Sequence, residues 1–208
     1  MWLGVLVVWA VLLVQRQSLR VPRREWWTLA QLSFFNMVIW NSLIIVAIPL
    51  VSSGRAAILG YTMPIFSAVL GSLFWRDRLS SRAWGGVGAA FVGVMLLLWH
   101  EFGALGSNPS GPLLILLAAL CWAVGTQMMR RASMQTPLLV MTFWMMLITA
   151  LVLTVAAMAL EHTLWHVPDT VAVGPILFNG VSVAGSAPAV RFVLARSLPP
   201  VASTLCVM

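Results

Sequence analysis

From Pro137 to Leu160 the chain reads PLLVMTFWMMLITALVLTVAAMAL, 24 residues without a charged side chain. As a helix, about 20 such residues cross the roughly 30 Å of hydrocarbon in a bilayer. Comparable uncharged runs extend from Ala56 to Trp75, Ala83 to Trp99 and Pro112 to Met129. Membrane-crossing strands would be about 10 residues long with alternating polarity, and these runs show no such alternation. The whole chain follows suit: 61% of its 208 residues are hydrophobic and 8% are charged, whereas a soluble domain carries about 25% charged residues. The fold class expected is all-α, a polytopic transmembrane helical bundle. About eight apolar segments are legible, at 1–15, 26–50, 55–75, 83–99, 112–130, 137–160, 171–195 and a stub at 200–208. The first and last are short, as if a longer chain were cut within helices at both ends.

The net charge of +7 comes from 12 basic residues, all arginine. Their clustering between apolar runs points to loops on an anionic membrane face rather than to nucleic acid. Arg16, Arg20, Arg23 and Arg24 follow the first segment, Arg76, Arg78 and Arg82 the third, Arg130 and Arg131 the fifth, and Arg191 and Arg196 the seventh. Only Arg55 falls in an intervening loop. By the positive-inside rule the loops 16–24, 76–82, 130–131 and 191–196 are cytoplasmic, and the expected location is a bacterial inner membrane. Glu101, Glu161, Asp169 and the three histidines lie toward the other face. Cys121 and Cys206 sit in apolar segments without metal-ligand spacing. Glu161, His162 and His166 flank one short loop with no further ligand nearby, so neither a metal nor a cofactor is expected.

A weak internal repeat accompanies this alternation. Leu19-Arg-Val-Pro22 precedes a segment with Phe34-Phe-Asn36, and Trp165-His-Val-Pro168 precedes one with Leu177-Phe-Asn179, offset by about 145 residues. Five crossings separate the Leu19–Pro22 start of one copy from the Trp165–Pro168 start of the other, so the copies point in opposite directions. Inverted repeats of this kind build secondary transporters, with substrate bound near the midplane.

The stretches Ser53–Pro64 (SGRAAILGYTMP), Phe74–Ser80 (FWRDRLS) and Gly86–Leu98 resemble the EamA domain of the drug/metabolite transporter superfamily. Gly111–Trp122 (GPLLILLAALCW) is similar to the opening helix of a second copy, and Leu198–Leu205 (LPPVASTL) to the ninth helix of that family. The resemblance implies a ten-helix architecture of two inverted repeats: residues 1–105 the first, lacking its first helix, and 106–208 the second, lacking its last. Asp77 stands where family members usually carry Glu.

Candidate substrate residues follow from polarity in apolar surroundings, because an unpaired amide in hydrocarbon costs several kcal/mol. Asn36, Asn41, Gln127 and Asn179 qualify, with Asn36 and Asn179 in matching places of the two repeats. Interhelical hydrogen bonding, at roughly 0.6–2 kcal/mol, is the structural alternative. Pro64 interrupts a helix and frees a carbonyl that a polar substrate can use, or serves only as a packing kink; Pro49, Pro175 and Pro188 are comparable. Trp40, Tyr61, Trp122 and Trp144 are deep aromatics suited to an amphipathic cavity, or to packing. Gly85, Ala89 and Gly93, four residues apart, are expected to serve helix packing.

No acidic or basic side chain stands mid-membrane, so no ion-coupling group is visible. A membrane enzyme would need a polar catalytic cluster, which is absent from the sequence. The function expected is export of small metabolites, amino-acid-like or amphipathic, by alternating access; the alternative is a non-transporting, truncated or accessory membrane protein. The partners implied are the lipid bilayer and a small-molecule substrate, not nucleic acid, with homo-oligomerisation left open.

Overall fold

Long apolar runs closed by proline, serine and arginine become helices, because in hydrocarbon every backbone N–H and C=O must find its partner within the segment. A computed structural model describes residues 1–77, 80–102 and 110–160, with 173–175, 177, 178 and 180. Up to residue 160 the described residues form six helical stretches: α1 Trp2–Val14, α2 Arg23–Leu50, α3 Ser53–Trp75, α4 Ser81–Phe102, α5 Ser110–Arg131 and α6 Leu138–Leu160. No strand is present among them. By length and composition α2, α3, α5 and α6 can each cross a membrane, while α1 and the Trp84–Leu96 part of α4 are shorter apolar helices. The protein is an all-α polytopic helical bundle. Asn179, Arg191, Arg196 and the Leu198–Leu205 motif lie outside the described residues.

The ends of these helices follow from local chemistry. Pro112 occupies the first turn of α5, where its missing N–H would have had no partner anyway. Arg130 and Arg131 close the same helix, placing positive charge at the negative end of its dipole. Within the helices, hydroxyls bond back to the carbonyl one turn earlier: Ser33 to Leu29 at 2.7 Å, Thr126 to Trp122 at 2.9 Å and Thr149 to Met145 at 2.8 Å. These polar groups are thereby satisfied without a second helix.

The chain forms two units. One comprises Met1–Trp26 with Met134–Met208. In it α1 packs on α6, burying Val5, Val8 and Leu12 on one face. The Trp2 indole N–H donates to Thr154 Oγ1 at 3.0 Å. The Glu25 carboxylate accepts from the backbone N–H groups of Gln135 (2.8 Å) and Thr136 (3.2 Å) and from the Thr136 hydroxyl. It thereby satisfies donors just ahead of α6, where a negative group is electrostatically favoured.

The other unit is Trp27–Ser133. Here α5 packs against both α2 and α3, and α4 against α3. Ala47, Val51, Leu59, Ile65, Val94 and Ile115 form its buried apolar cluster. Outward-facing residues such as Leu73 and Phe74 are more than 70% exposed. An apolar exterior of this kind suits lipid rather than water.

Two helices of this unit are interrupted. Inside α2 the residues Phe34–Val38 form a π-helical turn between Trp26–Ser33 and Ile39–Ala47. The other break divides α3 at Tyr61 and Thr62 into Ser53–Gly60 and Met63–Trp75. Pro64 has no N–H to donate to the Gly60 carbonyl, and the Thr62 hydroxyl caps the first half by donating to Leu59 O at 2.6 Å. The small face of α4 has no such neighbour: nothing lies within 4 Å of a Cβ placed on Gly85 or Gly93. Close contact expected along Gly85, Ala89 and Gly93 therefore finds no partner among the described residues.

Candidate functional site

The Trp27–Ser133 unit brings together Asn36, Trp40 and Trp122 where α2 crosses α5. Asn36 lies in the π-helical turn, is 3% exposed, and among the described residues has no hydrogen-bond partner for either its amide oxygen or its amide nitrogen. A π-turn shifts side chains relative to an unbroken helix and recurs at functional sites. The Asn36 amide rests on Gly125: a Cβ there would stand 2.7 Å from its Cγ and Oδ1 and 2.8 Å from its Nδ2. Gly125→Ala should therefore displace the amide. We expect a loss of stability of about 1–3 kcal/mol, most of it recovered in the Asn36→Ala background, as read from thermal unfolding of the single and double variants. Equal losses in both backgrounds would disprove the contact.

One turn from Asn36, the Trp40 ring meets Trp122 edge to face at 5.4 Å between centroids. Trp40 also approaches Gly60, where an added Cβ would lie 3.7 Å from the ring. It forms one end of a cleft of about 310 Å³ between α2 and α3. Trp40, Ile44 and Ile48 line it from α2, and Gly60, Tyr61 and Met63 from the broken middle of α3. None of the lining side chains is charged. Tyr61 is 75% exposed, and Pro64 adjoins the cleft by producing the break that shapes it.

Gln127 belongs to a different arrangement in the same unit. It is 1% exposed, and its amide nitrogen donates to the carbonyl of Ser67 at 2.5 Å and to the Ser67 hydroxyl at 2.9 Å. Its amide oxygen accepts from Arg131. The Arg131 guanidinium donates in turn to Asp77 Oδ2 at 2.6 Å and lies 4.4 Å from the Trp75 ring centroid. Gly71 leaves room for this cluster, since a Cβ there would stand 2.8 Å from Asp77 Oδ2 and 2.9 Å from Gln127 Nε2. Arg76 takes the left-handed conformation (φ 53°), and the following Asp77 N–H reaches Gly71 O at 3.1 Å.

The remaining sequence candidates are placed elsewhere or satisfied locally. Asn41 donates to the Met37 carbonyl at 2.7 Å on its own helix. Trp144 belongs to the other unit, where its indole N–H donates to Leu19 O at 3.1 Å and its ring meets Trp26 at 4.9 Å. No group of three or more His, Cys, Asp or Glu suited to a metal occurs among the described residues.

The sequence profile of the EamA-like transporter family matches residues 1–99 and again 109–207. The chain belongs to the EamA-like transporter family. It is 27% identical over 205 residues to a protein of Escherichia coli K12 named "Uncharacterized inner membrane transporter YedA", covering 97% of this chain and 64% of that one. It is 22% identical over 186 residues to "Uncharacterized transporter YoaV" of Bacillus subtilis strain 168, covering 89% and 64%. To "Uncharacterized transporter YdfC" of the same Bacillus it is 35% identical over 88 residues, 42% of this chain and 28% of that one. The chain thus spans 64% of the length of the first two relatives. No solved structure matches it.

Within this EamA-like chain, Ser67, Gly71, Gly125 and Arg131 are the parts of the two clusters that sequence reading passes over. A glycine facing a buried amide carries no signal of its own, because the amide it accommodates is 89 positions away along the chain. Arg131 reads as one more loop arginine until Asp77 is seen beside it. The acidic residue after the third segment was the visible clue, and it carried no indication of its partner.

Proposed function

We propose that this chain forms the membrane-embedded body of a small-metabolite exporter of the bacterial inner membrane, working by alternating access between inverted repeats at 1–105 and 106–208. The double match of the family profile supports the two repeats, and the relatives' names support transport. The observation that carries the reading is Asn36. An unpaired buried amide costs roughly 1–3 kcal/mol, a price a purely structural helix contact has no reason to sustain. A substrate that pairs with the amide repays the cost only while bound, which makes the residue useful to a carrier.

Two contacts are consistent with the grouping of the arginine-rich loops, whose cytoplasmic assignment rests on their charge. Asp77 bonds Arg131, joining the 76–82 and 130–131 stretches at one end of their unit. Glu25 bonds Gln135 and Thr136, joining the residues beside 16–24 to those beside 130–131. Each pairs segments that the arginine alternation assigns to the same face.

The test is flux. Membrane vesicles carrying the chain should show substrate-dependent transport across a panel of labelled metabolites. Asn36→Leu should reduce that flux about tenfold or more while raising the thermal midpoint, because it exchanges an unsatisfied amide for an apolar side chain. Absence of flux for the whole panel, or full flux in Asn36→Leu, would sink the reading.

A further inference from the structure

The ligand chemistry can be read one step further from what surrounds Asn36, resting on the transporter reading above. Both polar atoms of the Asn36 amide are buried and without a partner among the described residues, so the site offers an NH2 group with two N–H donors beside a carbonyl acceptor. No residue from Trp26 to Leu50 on α2, from Ala56 to Trp75 on α3, or from Gly111 to Met129 on α5 is charged. Arg131, six residues beyond Gly125, is about 9 Å further along the helix axis at 1.5 Å per residue, and it is held by Asp77 and Gln127. A carboxylate or ammonium brought to Asn36 would lose its hydration without gaining a counter-charge. A neutral group that both accepts and donates would pair with the amide nitrogen and the amide oxygen at once.

The cleft that begins one turn beyond Asn36 has a matching character. Trp40, Ile44 and Ile48 recur every four residues on α2 just beyond the π-turn that holds Asn36, so they lie along one side of that helix. All three line the apolar cleft, and Trp40 is the lining residue nearest to Asn36 along the chain. The edge-to-face pair of Trp40 and Trp122 presents aromatic surface to a flat or apolar flank of a ligand. We infer that the site takes neutral amide compounds, with a carboxamide, lactam or peptide-like group for Asn36 and an aromatic or apolar flank for the tryptophans, in preference to zwitterionic amino acids.

The experiment is equilibrium binding to the full chain purified in detergent, with tritiated N-acetylphenylalanine amide and phenylalanine as probes. The neutral amide is expected to bind saturably and phenylalanine at least about tenfold more weakly, as loss of a paired polar contact and desolvation of two charges require. Asn36→Asp, nearly identical in shape, removes the amide donor and should weaken binding of the amide probe about tenfold or more. Asn36→Leu should do the same with its thermal midpoint unchanged or raised, which separates loss of the site from loss of the fold. Phenylalanine binding as tightly as the amide, no binding of either probe, or undiminished binding in both variants would overturn the inference. Flux of some other metabolite without amide binding would reject this ligand class and leave transport standing; amide binding without any flux would reject transport and leave the ligand class standing.

Discussion

Replacing Gln127 with alanine is expected to destabilise the protein by about 2–4 kcal/mol, from the cavity left and the polar partners stranded. The side chain is 1% exposed, so its removal opens space that solvent does not readily fill. Its amide nitrogen holds Ser67 on α3, and its oxygen holds Arg131 on its own helix. Loss of the amide therefore releases α3 from α5 and frees the arginine that pairs with Asp77. The Asp77–Arg131 pair is itself partly exposed, at 38% and 28% for the two side chains. By itself such a pair contributes no more than about 1 kcal/mol, which is why the effect should centre on Gln127. Thermal unfolding in detergent, with Leu73→Ala as an exposed apolar control, checks this. A shift no larger than the control's would show that the amide contributes little. Gln127→Glu should fall between the two, since it keeps an acceptor for Arg131 and loses the donor to Ser67.

The second large effect is expected at the start of α5. Gly111 faces the turn between α2 and α3, where a Cβ would collide with Val51 Cγ2 and stand 2.9 Å from Leu50 Cβ. Neither is the free end of a flexible side chain, and the Leu50 carbonyl lies 3.3 Å away as well. Gly111→Ala should therefore cost about 1–3 kcal/mol through overpacking. Val51→Ala in the same chain should recover part of it, because the two changes share one contact. Melting midpoints of the two single variants and the double variant supply the measurement. Simple additivity of the two losses would mean that Gly111 does not need the space. Functionally, Gly111 sets how closely α5 approaches the α2–α3 turn, and the cleft beside Trp40 lies between those same two helices.

How much of the site could be read in advance differs from residue to residue. Asn36 announces itself, because an amide in an apolar run is costly wherever it ends up. Its lack of a partner among the described residues is not in the sequence, which does not say which polar groups meet; Asn41 carries the same signal and is satisfied by the Met37 carbonyl. Trp40 and Trp122 were candidates one at a time, and only the fold sets their rings 5.4 Å apart. Trp144 looked the same on paper, yet its indole N–H and ring bind the 19–26 stretch of its own unit. Gln127 reads as a substrate group and is bonded on both sides of its amide. The π-turn at Phe34–Val38 has no composition signature, as it depends on how α2 meets α5 rather than on local propensity.

What the sequence determined without help is the solvent. Uncharged runs of about 20 residues can satisfy their backbone in lipid only as helices, so the helical state and rough extent of the segments among the described residues follow from composition and period alone. The uninterrupted run Pro137–Leu160 became the uninterrupted helix α6, Leu138–Leu160, as that argument requires. Tertiary structure decided which polar groups are spent on the fold and which are left open. That division rests on contacts between positions far apart in the chain, such as Ser67 with Gln127 and Asn36 with Gly125. A hydropathy pattern is a one-body property of each segment, whereas a satisfied or unsatisfied amide is a property of a pair, and pairs exist only once the helices have packed.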